Sequence, residues 1–391
     1  MDRMHKIPST RGFFYACRFS LTHFRPAYRH RKVFFYGLKE VVIPTCSGLR
    51  QGMVHAGILS CKEKPMLTPL IQTPQCAIHR IEDTINTPVD RLVVSTPETR
   101  AIANDPLVMG VDYTRRLKTA CTQILSLLKK EEQICLEEQE TIVYDILRGG
   151  LNFGLREALA DAFSWNRHGG SFISAQRARD DDAPEKWHIV ESEYSKVYMP
   201  KRASIVIGDV VATGTSLEHA MKALVAEAEK QGTSLRSILF FTYGGPRAEE
   251  ILKTADTMCR ERFPHYQGTT LVYLEGRFII PTDETPLSIK VTGTDLLRTG
   301  ALMAPEFVES QYEHPAYPIQ RCTIYDAGSR AFWTPEYIED LTHYWGETLK
   351  LADGGVGYHQ LLAERFPDLD STRFGDVDLA RICQEQIDQL K

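Results

Sequence analysis

A turn rich in hydroxyl groups is the part of the chain whose residue types point most directly to chemistry. Residues 205–207 form a β-branched run, Asp209 follows, and Thr213-Gly214-Thr215-Ser216 leads into a helical pattern. Gly214 lets the backbone bend and approach a ligand, and the first free N–H groups of a helix favour an anion. We therefore predict that this turn binds a phosphate group.

The nearby acid Asp209 restricts the kind of ligand. A carboxylate four residues before Thr213 does not attract phosphate, whereas it suits a hydroxyl group or a metal-bound sugar. No Lys follows Gly214, so the turn is not a Walker loop. On this stretch alone, an ordinary strand-to-helix turn remains the alternative.

A second strand, turn and helix pattern carries a cation. Residues 141–147 are strand-like, and Arg148-Gly149-Gly150 separates them from a helical pattern. A guanidinium group binds phosphate oxygens through two parallel hydrogen bonds, and adjacent glycines let backbone amides approach. A surface salt bridge is the alternative for Arg148 considered alone.

The two turns together resemble those of the type I phosphoribosyltransferases. A hydrophobic strand, an acid, two aliphatic residues and Thr-Gly-Thr-Ser are similar to the family's phosphoribosyl pyrophosphate loop, and residues 146–151, Ile-Leu-Arg-Gly-Gly-Leu, are similar to the pyrophosphate loop of its uracil branch. The usual pattern has an acid where this chain has Gly208.

The resemblance implies a role for each matching residue. Asp209 would hold the ribose hydroxyls, and Arg148 and Asp209 would be the catalytic residues. Arg148, Gly149 and Gly150 would bind pyrophosphate. The residues implied to bind the 5-phosphate are Ala212, Thr213, Gly214, Thr215 and Ser216.

Two further segments resemble the uracil enzymes more loosely. Residues 176–180 and 193–200 look like a flexible arm that covers the substrate and excludes water, which implies that Arg177 or Arg179 contacts pyrophosphate. An exposed polar hairpin is the alternative. Residues 326–330 are similar to a Gly-Asp-Ala-Gly-Asp-Arg segment on the base and pyrophosphate side, and the matching residues are Asp326, Ala327, Gly328 and Arg330.

Alternating patterns predict the elements that position these turns. Strand-like runs at 141–147, 205–207, 238–243 and 270–274 alternate with helical patterns, the first of which begins near Thr114. This alternation predicts an α/β fold with a doubly wound, mostly parallel sheet, which is also the fold that the resemblance implies. Ligands of such sheets bind beyond the carboxyl ends of the strands.

Changes in composition predict three parts of the chain. Up to Glu40 there are nine Lys or Arg residues and two acids, so residues 1–65 are interpreted as an irregular basic leader. Two alternatives stay open: residues 1–65 are an organellar transit segment, or translation truly starts at Met66. Residues 66–332 are the predicted phosphoribosyltransferase-like domain, with a proline-rich inserted loop at 281–318. Residues 333–391 are a predicted helical extension. A chain that starts at Met66 is expected to fold.

Charge and cysteine content exclude several classes of protein. A net charge of −5 over 391 residues gives no general attraction to nucleic acid. No apolar run approaches the ~18 residues of a membrane span. Nine cysteines without a C-x-x-C pair argue against a disulfide framework and a zinc site, and they indicate a reducing compartment, the cytoplasm.

Taken together, the resemblance implies an enzyme that transfers ribose 5-phosphate from phosphoribosyl pyrophosphate to a nitrogenous base similar to uracil, with release of pyrophosphate. The expected partners are these two small molecules and a second copy of the chain. Mg²⁺ is expected to bind through the pyrophosphate rather than at a protein metal site. Two alternatives remain. The enzyme could use a different acceptor, or the chain could be a regulatory nucleotide-binding protein of the same fold, which Gly208, the loosely matching arm and the additional C-terminal helices allow.

Overall fold

A computed structural model describes residues 65–82, 87–147, 149–179, 187–191, 194–291, 293–321, 324–326 and 333–391, with the backbone alone described at 176–179 and 187–191. The chain divides into Met1–Ser60 and Cys61–Lys391, and all described residues belong to the second unit. The described strands are β1 (Met66–Gln72), β2 (Ala77–Glu82), β3 (Val89–Ser95), β4 (Thr141–Leu147), β5 (Gly169–Ser174), β6 (Gln176–Arg179), β7 (Trp187–Glu191), β8 (Ser195–Lys196), β9 (Arg202–Gly208), β10 (Ser234–Gly244), β11 (Gly268–Ile279) and β12 (Leu297–Met303). The described α-helices are α1 (Pro97–Asn104), α2 (Gly110–Lys130), α3 (Leu155–Phe163), α4 (Thr215–Gln231), α5 (Pro246–Arg262), α6 (Pro305–Ser310), α7 (Thr334–Asp353), α8 (Tyr358–Arg365) and α9 (Leu379–Gln389).

One large, mostly parallel sheet carries the fold, which confirms the predicted fold class. Its parallel strands lie in the order β3, β11, β10, β9, β4 and β5. Antiparallel strands β2 and β1 extend one side, β8 pairs antiparallel with β5, and β12 pairs antiparallel with β11. The central strands consist largely of buried aliphatic and aromatic residues, as expected for strands covered on both faces.

The direction in which the chain crosses the sheet reverses between β4 and β9. From β4 the chain passes to β5 on one side, whereas β9, β10 and β11 follow one another on the other side. Crossovers between parallel strands are right-handed in nearly all proteins, so the reversal puts α3 on one face and α4 and α5 on the other. The crevice between β4 and β9 is therefore a topological switch point, where open α/β sheets bind ligands.

The helices bury the faces that the sequence predicts. In α2 the buried positions include Leu117, Cys121, Ile124 and Leu128. The helical pattern after Ser216 is α4, which buries one apolar stripe that comprises Leu217, Ala220, Met221, Leu224, Val225 and Ala228. Both helices thus pack through one apolar face and orient the turns at their amino ends.

A second hydrophobic core joins the C-terminal helices to residues 281–321. It contains Ile289, Ala316, Ile319, Tyr344, Trp345, Tyr358, Leu361, Leu362, Phe366, Leu369, Leu379, Ile382 and Cys383. The stretch predicted to be an inserted loop therefore differs from expectation, because it includes β12 and α6 and helps to build this core. Pro305 opens α6 rather than marking a loop. Arg321 also connects the two parts, because its Nη1 lies 3.3 Å from Asp340 Oδ2 on α7 while its Nε pairs with the buried Asp295 Oδ2 at 2.8 Å.

In the part of the chain that the structure describes, no helix is both long and apolar enough to cross a membrane.

Candidate functional site

The predicted phosphate turn lies between β9 and the amino end of α4. Gly214 precedes α4 with φ 76° and, as a glycine, has no side chain that could cap the first N–H groups of the helix. A Cβ on Gly214 would lie 2.5 Å from Ile251 Cδ1 and 2.9 Å from Arg247 Cγ. Both its left-handed backbone and its tight surroundings therefore require glycine. The 17-residue helix α4 presents uncapped amides and the positive end of its dipole at this turn.

The hydroxyl groups of the turn are not equivalent. Thr213 Oγ1 lies 3.4 Å from Thr215 Oγ1, so these two hydroxyls lie side by side. Ser216 differs from expectation, because its hydroxyl donates to the carbonyl oxygen of Ala175 at 3.1 Å. Ala212 is buried. Of the three predicted hydroxyls, that of Ser216 is therefore already bonded, and Ser216 is left with its backbone amide.

A cation that the sequence patterns did not single out lies beside this turn. Arg247, at the start of α5, has its Cγ close to Gly214 and forms ion pairs with Glu218 at 3.0 Å and Glu250 at 2.9 Å. Its side chain is 45% exposed. Only the fold brings the first turn of α4 and the first turn of α5 together, so no local motif indicates this contact.

Two carboxyl groups from distant parts of the sequence meet in the crevice between β4 and β9. Asp209 follows β9, Gly149 follows β4, and Asp326 precedes the C-terminal helices. A Cβ built on Gly149 would lie 3.0 Å from Asp209 Oδ1 and 3.4 Å from Asp326 Oδ2. The structure thus brings together three residues that the sequence analysis selected from separate segments.

The 3₁₀ turn Gly149–Phe153 shapes this crevice. Asn152 Nδ2 donates to Asp326 Oδ1 at 2.8 Å. Phe153 is fully buried, and its ring Cγ lies 2.4 Å from the position of a Cβ on Gly208. The space for an acid at Gly208 is therefore occupied by an aromatic ring. Gly150 packs on the strands themselves, since its Cβ would lie 3.2 Å from the carbonyl oxygen of Gly208.

Burial changes the protonation of the crevice. The pKa of Asp326 is raised well above its usual range, mainly by burial and then by the charge of Asp209, although the hydrogen bond from Asn152 lowers it. On β4, burial raises the pKa of Asp145 to about 6. Both shifts favour the neutral form of the acid, and the effect of Asp209 on Asp326 is that expected for two carboxyl groups in one buried site.

Three tyrosine rings in contact with one another connect the segment of Asp326 to the C-terminal extension. Tyr113 of α2 packs edge-on against Tyr325 at 5.5 Å between ring centroids, and Tyr325 packs in the same way against Tyr337 of α7 at 5.2 Å. The hydroxyl groups of Tyr325 and Thr334 are 2.9 Å apart. Burial, followed by the charge of Asp326, raises the pKa of Tyr113. Sequence patterns missed these tyrosines, which read as ordinary core positions.

Replacing Tyr337 with phenylalanine is expected to lower the free energy of unfolding by about 1–2 kcal/mol, because the buried hydroxyl donates to the carbonyl oxygen of Pro106 at 2.8 Å and its loss leaves that oxygen unpaired. Urea unfolding of the purified variant measures this change. Tyr198→Phe is the matched control, since that ring is 68% exposed. Equal stability of the two variants would show that the Tyr337 hydroxyl does not help to hold α7.

Several residues of the sequence prediction lie outside the described residues, namely Arg148, Ala327, Gly328 and Arg330. Arg177 and Arg179 belong to β6, which pairs with β7 to form the two-stranded hairpin predicted as an arm. The backbone of this hairpin approaches α4, the helix that carries the phosphate turn. Their roles at pyrophosphate stay predictions.

The described residues contain no group of three or more His, Cys, Asp or Glu side chains arranged to hold a metal ion. The crevice fits a cation that arrives with a substrate, because Asp209 and Asp326 bring carboxyl oxygens, the ligand type that Mg²⁺ prefers.

Comparisons with known proteins add distant similarities. No family model matches the chain, and no curated protein matches its sequence. Among solved structures, a hypoxanthine phosphoribosyltransferase from Staphylococcus aureus is similar at 12% identity and a TM-score of 0.24, over 41% of this chain and 74% of the other. A hypoxanthine-guanine phosphoribosyltransferase from Bacillus anthracis has 18% identity and a TM-score of 0.22, over 34% and 69%. The enzyme of the same name from L. donovani has 14% identity and a TM-score of 0.26, over 43% and 83%.

Proposed function

We propose that this protein is a phosphoribosyltransferase, which transfers ribose 5-phosphate from phosphoribosyl pyrophosphate to a ring nitrogen of a base and releases pyrophosphate. The observation that carries the proposal is the placement of the two motifs. The hydroxyl turn with its uncapped helix and the Gly149 turn with its acids lie at the ends of β9 and β4, on the two sides of the switch point. A phosphate, a sugar and a second phosphate group would span this crevice in that order.

In this proposal the chain binds and orients rather than exchanging protons. The amides of α4 and the hydroxyls of Thr213 and Thr215 hold the 5-phosphate. Asp209 accepts hydrogen bonds from the ribose, whose ring gains positive charge as the bond from C1 to pyrophosphate breaks. Arg148 and the amides of Gly149 and Gly150 stabilise the leaving pyrophosphate. Fixed groups that match developing charge and hold reactants in register are sufficient to lower the barrier.

Magnesium enters this proposal with the substrate. When bound with the substrate, Mg²⁺ would neutralise negative charge on the pyrophosphate. The residues that would lie nearest are Asp209 and Asp326, which face Gly149.

Pyrophosphate release tests the proposal directly. The purified full chain is incubated with phosphoribosyl pyrophosphate, Mg²⁺ and one base at a time, with uracil first because of the Arg148 loop, and then hypoxanthine, guanine and other bases. Release that depends on one base supports the transferase and identifies its acceptor. Tight binding of phosphoribosyl pyrophosphate with no turnover on any base would instead support a regulatory nucleotide-binding protein. One observation favours this alternative: the ring of Phe153 occupies the space that an acid at residue 208 would need.

Replacing Thr215 with alanine is expected to raise KM for phosphoribosyl pyrophosphate about 10-fold and to leave kcat nearly unchanged. The 5-phosphate does not react, so its hydrogen bonds, worth about 1–3 kcal/mol each, stabilise ground state and transition state alike. Steady-state kinetics of Thr215→Ala and of Thr119→Ala, a helical threonine whose hydroxyl bonds its own helix at 2.9 Å, separate the effect from general loss of stability. A fall in kcat with unchanged KM would contradict the assignment.

A further inference from the structure

The acid that usually precedes Asp209 in this motif is sterically excluded here. Gly208 has no room for a side chain, because Phe153 Cγ and Cδ1 would lie 2.4 and 2.5 Å from its Cβ. Phe153 is itself fixed, since it is fully buried in the main core. The chain therefore has one carboxyl group, that of Asp209, at the end of β9.

A second carboxyl group reaches the same point from the other end of the fold. Oδ2 of Asp326 and Oδ1 of Asp209 both approach the position that a side chain on Gly149 would occupy, at 3.4 and 3.0 Å. The two acids converge on residue 149 because it is glycine, since a side chain there would be crowded by both carboxyl groups.

Asp326 is held in one orientation but is not satisfied by its neighbours. Asn152 donates to Oδ1 at 2.8 Å, whereas Oδ2 is buried without a hydrogen-bond partner among the described residues. The adjacent Tyr325 is fixed between Tyr113 and Tyr337. A rigidly held, buried carboxyl oxygen without a partner is rare in folded proteins and is expected to be satisfied by a ligand or water.

We propose that Asp209 and Asp326 form one two-carboxyl site for the neighbouring hydroxyl groups of a phosphorylated ribose, and that Asp326 replaces the acid excluded at Gly208. The inference rests on the proposed function, because it places the ribose of the same substrate. Two adjacent sugar hydroxyls present two O–H donors, which suit the acceptor oxygens of two neighbouring carboxyl groups. The 5-phosphate of that sugar would lie at the turn after Asp209.

Sugar phosphates that differ by one hydroxyl test this site. Calorimetric titrations of the full chain use ribose 5-phosphate, 2-deoxyribose 5-phosphate and inorganic phosphate. We expect the wild type to prefer ribose 5-phosphate over its 2-deoxy analogue by about 10-fold or more, as for loss of a hydrogen bond to a charged group. Asp326→Asn should abolish most of this preference and leave the affinity for inorganic phosphate unchanged.

Two further variants keep the test decisive. Asn152→Ala should reduce the preference by a smaller factor, because it releases Asp326 without removing a carboxyl group. Asp256→Asn removes another fully buried acid, paired with Arg260 on α5, and should keep the wild-type preference. A ribose preference unchanged in both Asp326→Asn and Asn152→Ala would overturn the inference.

Two other results would overturn the inference. Binding of Mg²⁺ alone that Asp326→Asn abolishes would show a cation site instead and would overturn the inference. A wild type without any preference between the two sugars would do the same. Pyrophosphate release is measured in parallel. If the two-carboxyl site is rejected but the protein still releases pyrophosphate, the transferase proposal stands. If the protein neither releases pyrophosphate nor binds phosphate, the proposed function itself is rejected.

Discussion

Replacing Arg148 with alanine is expected to lower kcat by roughly 10²-fold or more, the effect of removing a strong donor to a developing negative charge. Arg148 itself lies outside the described residues, and its described neighbours Leu147 and Gly149 lie at the end of β4. We propose that its guanidinium group contacts the pyrophosphate. The pyrophosphate gains charge as its bond to C1 breaks. A guanidinium at this position therefore acts mainly in the transition state.

Single-turnover and steady-state kinetics of Arg148→Ala measure the change, with phosphoribosyl pyrophosphate and the accepted base. Arg167→Ala is the control, because that side chain is 65% exposed and forms a surface ion pair with Glu138. Full kcat in a folded Arg148→Ala variant would reject the pyrophosphate role. The contrast with Thr215→Ala, which should change KM alone, separates the two turns.

Replacing Glu275 with glutamine is expected to reduce the loss of stability that the wild type shows between about pH 5 and pH 8. Glu275 is fully buried, and burial raises its pKa to about 8 despite hydrogen bonds from Thr99, Ser95 and the amide of Thr96. Its second oxygen has no partner among the described residues. The folded state therefore holds a proton that the unfolded chain releases near pH 4.5.

The direction in which stability changes with pH follows from this difference in bound protons. Because the pKa of Glu275 is raised in the folded state, its contribution is fully present below the unfolded value and is lost as pH rises through about 8. The slope is at most about 1.4 kcal/mol per pH unit. Glutamine keeps the acceptor for Thr99 and has no proton to lose. The buried Asp326, whose pKa is also raised, contributes in the same direction.

Urea unfolding at several pH values compares Glu275→Gln with wild type and with Glu250→Gln, a control whose side chain is 65% exposed. We expect the stability of Glu275→Gln relative to wild type to increase as pH rises. A difference that is constant with pH would show that Glu275 is already ionised in the folded protein.

Local sequence patterns were sufficient to predict the strands and helices of the parallel sheet. The β-branched run of β9, the glycine turn and the apolar stripe of α4 are contiguous, so the sequence order itself indicates the strand, turn and helix. The same holds for α2, β10, α5 and β11. The alternation of these elements predicts the parallel sheet because few other arrangements bury such strands.

Contacts between distant segments could not be predicted in this way. The approach of Asp326 to Asp209 depends on the path of residues 281–321, whose β12 and α6 lack a clear period and were interpreted as a loop. Phe153 reads as a core residue, yet its ring determines that Gly208 cannot carry an acid. The hydroxyl of Ser216 was expected to be available and instead donates to Ala175, which lies after β5.

A crystal structure of the full chain with phosphoribosyl pyrophosphate and Mg²⁺ tests the proposed binding mode. We expect the 5-phosphate within hydrogen-bonding distance of the amides of Thr215 and Ser216 and the hydroxyl of Thr213, with the ribose hydroxyls facing Asp209 and the pyrophosphate beside Gly149. A ligand bound elsewhere, or no ligand at saturating concentration with the turn after Asp209 accessible in the crystal, would contradict it.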